Sequence, residues 1–372
     1  MIAVSMKRTL TLITVFFLTA TASLHAAAAP TKKPNILFIV ADDLGYADCG
    51  VQGCKDVPTP HIDSIAKEGI RFTDGYVTGT VCSPTRAGLM TGRYHYRDGI
   101  HDWVPPGKPG LNANVPTVAD YLKSAGYRTA IVGKWHLGEQ PECHPMKRGF
   151  DGFFGFLGGG RSYFPDKAKA ADAKVNLYTQ ILRGHDPVNL KEYTTHDFGR
   201  EAVDFIQRQK GSDKPFFLYL AFNAVHTPME SPEDCFARFP NIGDKKRRTY
   251  AGMLSAMDDN IGNVLQAVRE AGIEQNTLIC FHSDNGGPIT RNAPNASMNT
   301  PLRGGKGQTW EGGIRVPMFA KWTGRLKPGT YSQPVIQMDL TATALALAGV
   351  KPDAHWPMDG VNLMPFLDGG KA

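Results

Sequence analysis

The chain has 372 residues, 42% hydrophobic and 20% charged, with 41 lysines and arginines against 35 acids. A formal charge of +6 is within what ordinary soluble proteins carry, so it marks no nucleic-acid partner. No internal repeat or low-complexity linker is present, and a length that would permit two domains is read as one large domain.

Lys7-Arg8, an apolar stretch from Leu10 to Leu18 and small residues through Ala26 to Ala29 have the order of a signal peptide. Residues 1–29 are expected to be a leader and residues 30–372 the mature domain. The apolar stretch is too short and too rich in threonine for a stable membrane anchor.

Pro34 to Val40 is a continuous apolar run that ends in Ala41-Asp42-Asp43, as expected of a strand buried on both faces and followed by a turn. Cys82-Ser-Pro-Thr-Arg86 follows, a cysteine three residues before an arginine with a proline between. Thr117 to Ala125 reads as a helix closed by Gly126. Arg128 to Val132 reads as a strand running into Gly133-Lys134-Trp135-His136. Gly155 to Pro165, with three consecutive glycines, reads as a loop. Asp197 to Gln209 is the next expected helix, and Pro215 to Phe222 the next strand, leading to Asn223 and His226.

Lys245-Lys246-Arg247-Arg248 is expected to be the solvated start of a helix that continues as Thr249 to Ala271. Thr277 to Phe281 is a further buried strand, ending in His282-Ser283-Asp284-Asn285-Gly286-Gly287. Leu302-Arg-Gly-Gly-Lys306-Gly is a flexible loop carrying an ammonium, and Leu340 to Leu347 reads as a late helix. Of the six cysteines, Cys280 falls inside a strand and five remain beside Cys82, so a disulfide framework is not indicated; Cys49 and Cys54 are expected as a local bridge in an oxidising compartment.

In an open α/β sheet, ligands sit beyond the carboxyl ends of the strands. Asp42, Asp43, Asp284 and Asn285 would meet there. Three carboxylates and an amide oxygen suit a hard divalent cation, Ca²⁺ or Mg²⁺, better than zinc. Lys134 and Lys306 would supply charge for an anionic group, and His136 and His226 would move protons near neutral pH. That set is the equipment for cleaving an oxyanion ester.

From Asn35 to about Leu367 these segments, with Trp310-Glu-Gly-Gly-Ile-Arg-Val-Pro317, resemble the type I, formylglycine-dependent sulfatases of the alkaline phosphatase superfamily. The resemblance implies an α/β fold: a large, mostly parallel mixed sheet sandwiched by helices. Chains of this kind continue past a segment like Asp359 to Phe366 into a small antiparallel C-terminal subdomain, which is expected to be missing here.

By the same resemblance Cys82 would be oxidised to formylglycine by a sulfatase-maturating enzyme. Asp42, Asp43, Asp284, Asn285 and the modified Cys82 would bind calcium, and Arg86 would stabilise the formylglycine hydrate. Lys134 and Lys306 would hold sulfate oxygens. One hydroxyl of the hydrate would attack sulfur while His226 protonates the leaving alcohol; His136 would then deprotonate the other, re-forming the aldehyde and expelling sulfate.

The implied activity is hydrolysis of sulfate monoesters of a sulfated carbohydrate, in the periplasm or secreted. The alternatives are a phosphonate monoester or phosphodiester hydrolase with the same nucleophile, and an inactive glycan- or metal-binding relative. His101, Trp103, Arg161 and Tyr163 are candidates for the substrate rim.

Overall fold

Seven consecutive buried residues, Asn35–Ala41, form the first strand of the computed structural model, which describes residues 32–165, 176–289 and 295–367. The expected leader at 1–29 lies outside the described residues. The strands are β1 Asn35–Ala41, β2 Ile70–Phe72, β3 Gly75–Tyr76, β4 Arg128–Lys134, β5 Gly152–Phe156, β6 Leu182–Arg183, β7 Asp186–Pro187, β8 Phe216–Ala221, β9 Thr277–Ser283, β10 Met318–Lys321, β11 Gly329–Tyr331 and β12 Val335–Ile336. Ten of them make one sheet in the order β11-β2-β10-β9-β1-β8-β4-β5-β6-β7, and β3 pairs with β12 separately.

The centre, β9-β1-β8-β4-β5, is parallel, and antiparallel pairs occur only towards the edges, at β10, β6 and β7. Side chains alternate across it. Leu37, Ile39 and Ala41 join one core, Ile36, Phe38 and Val40 the other. Each fully buried apolar side chain contributes about 1.5–3 kcal/mol, so a one-residue slip, which exchanges the faces, is strongly disfavoured. That register sets Ala41 opposite Ser283, and Val40 opposite Ala221, which in turn faces Gly133. The carboxyl ends of four strands are thereby flush.

The helices are α1 Pro60–Lys67, α2 Cys82–Thr91, α3 Val118–Ser124, α4 Thr194–Gln207, α5 Glu233–Ala237, α6 Lys245–Glu270, α7 Glu311–Ile314, α8 Gln337–Ala348 and α9 Met364–Leu367. One face of the sheet is covered by α1, α4 and α6, the other by α2, α3 and α8. The helix at Val118 is placed as expected, with Thr117 and Asp120 closing a capping box. Two others, α4 and α8, start earlier than the sequence suggests, and they share one cause. Asp197 lies inside the first turn of α4 and reaches back to the N–H groups of Lys191 and Glu192, and Asp339 of α8 does the same to Ile336. In α6 the cap is Asp244, whose Oδ1 accepts the N–H of Arg247.

Two expectations are corrected. Lys245 and Lys246 are exposed, but Arg247 is buried, pairing with Asp48 (2.7 Å) and Asp56 (2.8 Å) and lying over the Tyr250 ring. It is an internal tie between α6 and the loop after β1. Cys49 and Cys54 are free thiols: Cys49 is fully buried, while the Cys54 sulfur turns to Asp56 and Arg247. Among the described residues no helix is long and apolar enough to cross a membrane.

Candidate active site

Cys82 is the first residue of α2, whose ten residues are all buried and whose N-terminus has no side-chain cap. Unpaired N–H groups and the positive end of the helix dipole therefore lie beside it. Its ligand atom and those of Asp42 and His226 lie within 4.8 Å of one another. Burial pushes the Cys82 thiol up, with Lys134 and Lys306 pulling it back. The unmodified residue is thus a neutral thiol near pH 7 and a poor nucleophile.

Beyond β1 and β9, oxygens of Asp42, Asp43 and Asp284 lie within 4.8 Å of one another. Such a cluster holds together only with positive charge among it. Lys134 Nζ donates to Asp42 (2.5 Å) and Lys306 Nζ pairs with Asp43 Oδ1 (2.6 Å). The Arg86 guanidinium donates twice to Asp284 Oδ2, through Nε (3.1 Å) and Nη2 (2.8 Å), and through Nη1 to the Lys134 carbonyl (3.0 Å) and the Tyr219 hydroxyl (3.3 Å). Burial raises Asp42, but Lys134, His226 and Arg86 outweigh it and hold that carboxyl well below the usual range. Asp284 goes the other way, pushed up to about 6 by burial and by Asp42.

Asp42 Oδ1 and Asn285 Oδ1 are buried and accept no hydrogen bond. An acceptor left so loses roughly 1–3 kcal/mol unless a ligand satisfies it. With an all-oxygen donor set, these orphaned atoms fit a hard divalent cation.

The imidazoles stand on either side. His136 Nε2 lies 3.1 Å from the Val104 carbonyl and 3.3 Å from the Tyr178 hydroxyl, while Nδ1 is buried without a partner. A carbonyl only accepts, so Nε2 carries the hydrogen and Nδ1 the lone pair. Burial, with Lys134 and Arg86, holds His136 well below the imidazole range, so it is neutral at pH 7. His226 gives Nδ1 to the Thr227 carbonyl (2.6 Å) and turns Nε2 towards Asp43 Oδ2 (3.8 Å). Its side chain is 21% exposed; burial lowers it and Asp43 and Asp42 pull it back.

Asp43 (φ 63°) and His136 (φ 58°) are non-glycine residues in the left-handed region. Such conformations cost about 1–3 kcal/mol each and persist where the surroundings impose them, as at reactive sites.

A model of the sulfatase family matches residues 34–350. The chain belongs to the sulfatase family. It is 36% identical over 361 residues to the N-acetylgalactosamine-6-sulfatase of Homo sapiens, covering 93% of this chain and 68% of that one. The solved structure of Ps i-CgsB in complex with k-i-k-neocarrahexaose is 42% identical, with a TM-score of 0.87 over 91% of this chain and 77% of that one. A phosphonate monoester hydrolase of Agrobacterium radiobacter, 21% identical with a TM-score of 0.60 over 91% of this chain and 78% of that one, shares the fold. The chain is therefore a sulfuric ester hydrolase of the formylglycine-type group in the alkaline phosphatase superfamily, and its mixed sheet between helices is the architecture expected.

In this sulfatase all ten predicted site residues converge on one cluster. Of the rim candidates, Trp103 and His101 are exposed, and the Trp103 ring is 6.5 Å from that of His136. Tyr163 is corrected: it is fully buried, its hydroxyl directed at the carbonyls of Asn223 (2.5 Å) and His226 (2.8 Å), so it braces the His226 turn from beneath. Arg161 is largely buried, with its Nε donating to the Ser162 carbonyl.

Four residues were not found from sequence. Asn299 ties the loop after β9 to the lysine loop, bonding Gly287 in both directions and the Gly304 carbonyl. Val104 contributes a carbonyl, which no side-chain pattern reveals, and Tyr178 lies in an irregular segment. Tyr219 did leave a signal, since a lone hydroxyl inside the buried run Phe216–Ala221 needs a partner.

Gly159 is fixed by close approach, because a Cβ there would lie 2.6 Å from His136 Cε1 and 2.7 Å from both His136 Nε2 and the Tyr178 hydroxyl. Gly159→Ala is expected to displace the imidazole and lower kcat about 100-fold with little change in melting temperature. Steady-state kinetics beside a thermal melt will check it.

Proposed function

We propose that this sulfatase hydrolyses sulfate monoesters of a glycan through a formylglycine made from Cys82 by a maturating enzyme. A divalent cation, calcium or magnesium, would be held by Asp42, Asp43, Asp284, Asn285 and residue 82. The enzyme would act outside the cytoplasm, periplasmic or secreted, after loss of residues 1–29. The observation that carries this reading is the meeting of Cys82, three carboxylates, Arg86, two lysines and two imidazoles in one buried cluster. The glycan is supported by the sulfated sugar in the name of the human relative and the neocarrahexaose in the Ps i-CgsB structure.

Arg86, Lys134 and Lys306 balance the charge of Asp42, Asp43 and Asp284. The bound cation would add the positive charge that draws in a sulfate group and polarises its oxygens. The hydrated aldehyde would supply an oxygen nucleophile and, by re-forming, a way to release sulfate without attack of water on sulfur.

The chain's own groups do the rest. Lys134 and Lys306 orient the sulfuryl oxygens, their ammoniums already directed into the cluster. His226 Nε2, beside Asp43, delivers a proton to the leaving alcohol, and a bound anion raises its affinity for that proton. His136 accepts a proton at Nδ1, held by the bond from Nε2–H to the Val104 carbonyl.

Co-expression with a sulfatase-maturating enzyme, followed by the mass of the proteolytic peptide containing residue 82, tests the reading. Formylglycine together with release of sulfate from an aryl sulfate is the expected result. Unmodified cysteine, in a host that converts a control sulfatase, would overturn it.

A further inference from the structure

Several exposed aromatic side chains are gathered on one segment. Tyr94 is 47% exposed, Tyr96 62% and Trp103 46%. Both tyrosines line a cleft of about 620 Å³, within the ~300–1,000 Å³ range of small-molecule sites. The Tyr96 ring is held between those of His95, 4.4 Å away, and His101, 5.1 Å away.

This cleft is lined by chain neighbours of two active-site residues. Thr80, Val81 and Pro84, which bracket Cys82, form one side, and Gly307, next to Lys306, forms another. Gly307 donates its N–H to the Thr80 carbonyl (2.8 Å) and joins the two. On the far side Asp102 precedes Trp103, whose ring neighbours His136, and Val104 carries the carbonyl that fixes that imidazole.

The chemistry of the lining selects the occupant. A pyranose ring has apolar C–H faces and a polar hydroxyl rim, and tyrosine and histidine offer the matching flat faces and polar edges. Among the described residues lining the cleft, Asp102 is the one carboxylate and there is no lysine or arginine. A second sulfate placed there would meet the Asp102 carboxylate and neither a lysine nor an arginine among the described lining residues.

We propose that the cleft binds the sugar unit adjoining the sulfated one, and that this adjoining unit carries no sulfate. The proposal rests on the glycan reading above and assigns Tyr94, Tyr96 and Asp102 to substrate selection. Isothermal titration of the full chain with chemically desulfated neocarrahexaose reads the cleft without turnover. Saturable binding is expected, weakened at least tenfold in the Tyr94→Ala/Tyr96→Ala double variant, with circular dichroism confirming that the variant is folded.

Asp102→Lys supplies the second measurement. It is expected to shift the affinity ratio at least threefold towards the fully sulfated hexasaccharide. No binding to the wild type, binding indifferent to the double variant, or an unmoved ratio in Asp102→Lys would each overturn the proposal. Failure of the formylglycine reading is seen separately, as absent aryl sulfate hydrolysis by the wild type.

Discussion

Cys82→Ala is expected to lower sulfate ester hydrolysis by about 10⁴-fold or more, the scale on which enzymes lose rate when the nucleophile is deleted. The residue opens a fully buried helix and shares its surroundings with Asp42 and His226, and on the reading proposed above it supplies the attacking oxygen. Folding should change by only about 1 kcal/mol, because the substitution removes one sulfur atom and no hydrogen-bond network. Cys82→Ser sharpens the result. A serine has a hydroxyl of its own but no second oxygen for expelling sulfate, so it is expected to release at most one equivalent of aryl alcohol and then stall. Rapid-quench kinetics on an aryl sulfate separates the two variants; sustained turnover by Cys82→Ala would remove the covalent reading.

Removing the guanidinium at position 86 should have the largest effect on stability. Arg86 is 1% exposed and is the partner of Asp284 Oδ2, the Lys134 carbonyl and the Tyr219 hydroxyl at once. Arg86→Ala leaves those acceptors buried and three carboxylates short of one cation, a change worth about 3–5 kcal/mol when a buried ion pair is broken. Each kcal/mol lowers Tm by about 2–4 °C in domains of 150–250 residues, so a clear drop is expected in a thermal melt. Arg86→Lys should not restore the wild-type melt or activity. A single ammonium cannot span positions that the guanidinium reaches through Nε, Nη1 and Nη2. A Lys variant melting with the wild type would show that charge alone matters there.

Much of the site was legible because the chemistry-bearing residues follow apolar runs directly. Asp42 and Asp43 after β1, Lys134 at the end of β4, His226 after β8 and Asp284 after β9 are adjacent in space because those four strands are neighbours in parallel register. Continuous runs such as Asn35–Ala41 and Phe216–Ala221 mark strands buried on both faces, and the rule that ligands gather at their carboxyl ends supplies the rest.

The same reasoning misplaced helix starts where the capping acid lies inside the first turn, as Asp197 and Asp339 do, since the backbone groups they satisfy precede the helix. It also read Arg247 as solvated. A dense basic run is ordinarily a wet surface, and only the packing of α6 against the loop carrying Asp48 and Asp56 makes one of its four members internal.

The sequence by itself determined which residue types are available for oxyanion ester cleavage and which strands deliver them, because both are encoded locally in apolar runs and the turns that end them. The tertiary structure alone decided which cation pairs with which carboxylate, which nitrogen of His136 carries the proton, that Tyr163 supports the His226 turn rather than the rim, and that Tyr94 and Tyr96 line a cleft with Thr80, Val81 and Pro84 around Cys82. Each of these is a contact between segments far apart in the chain, set by strand order and helix packing, and no local pattern records it.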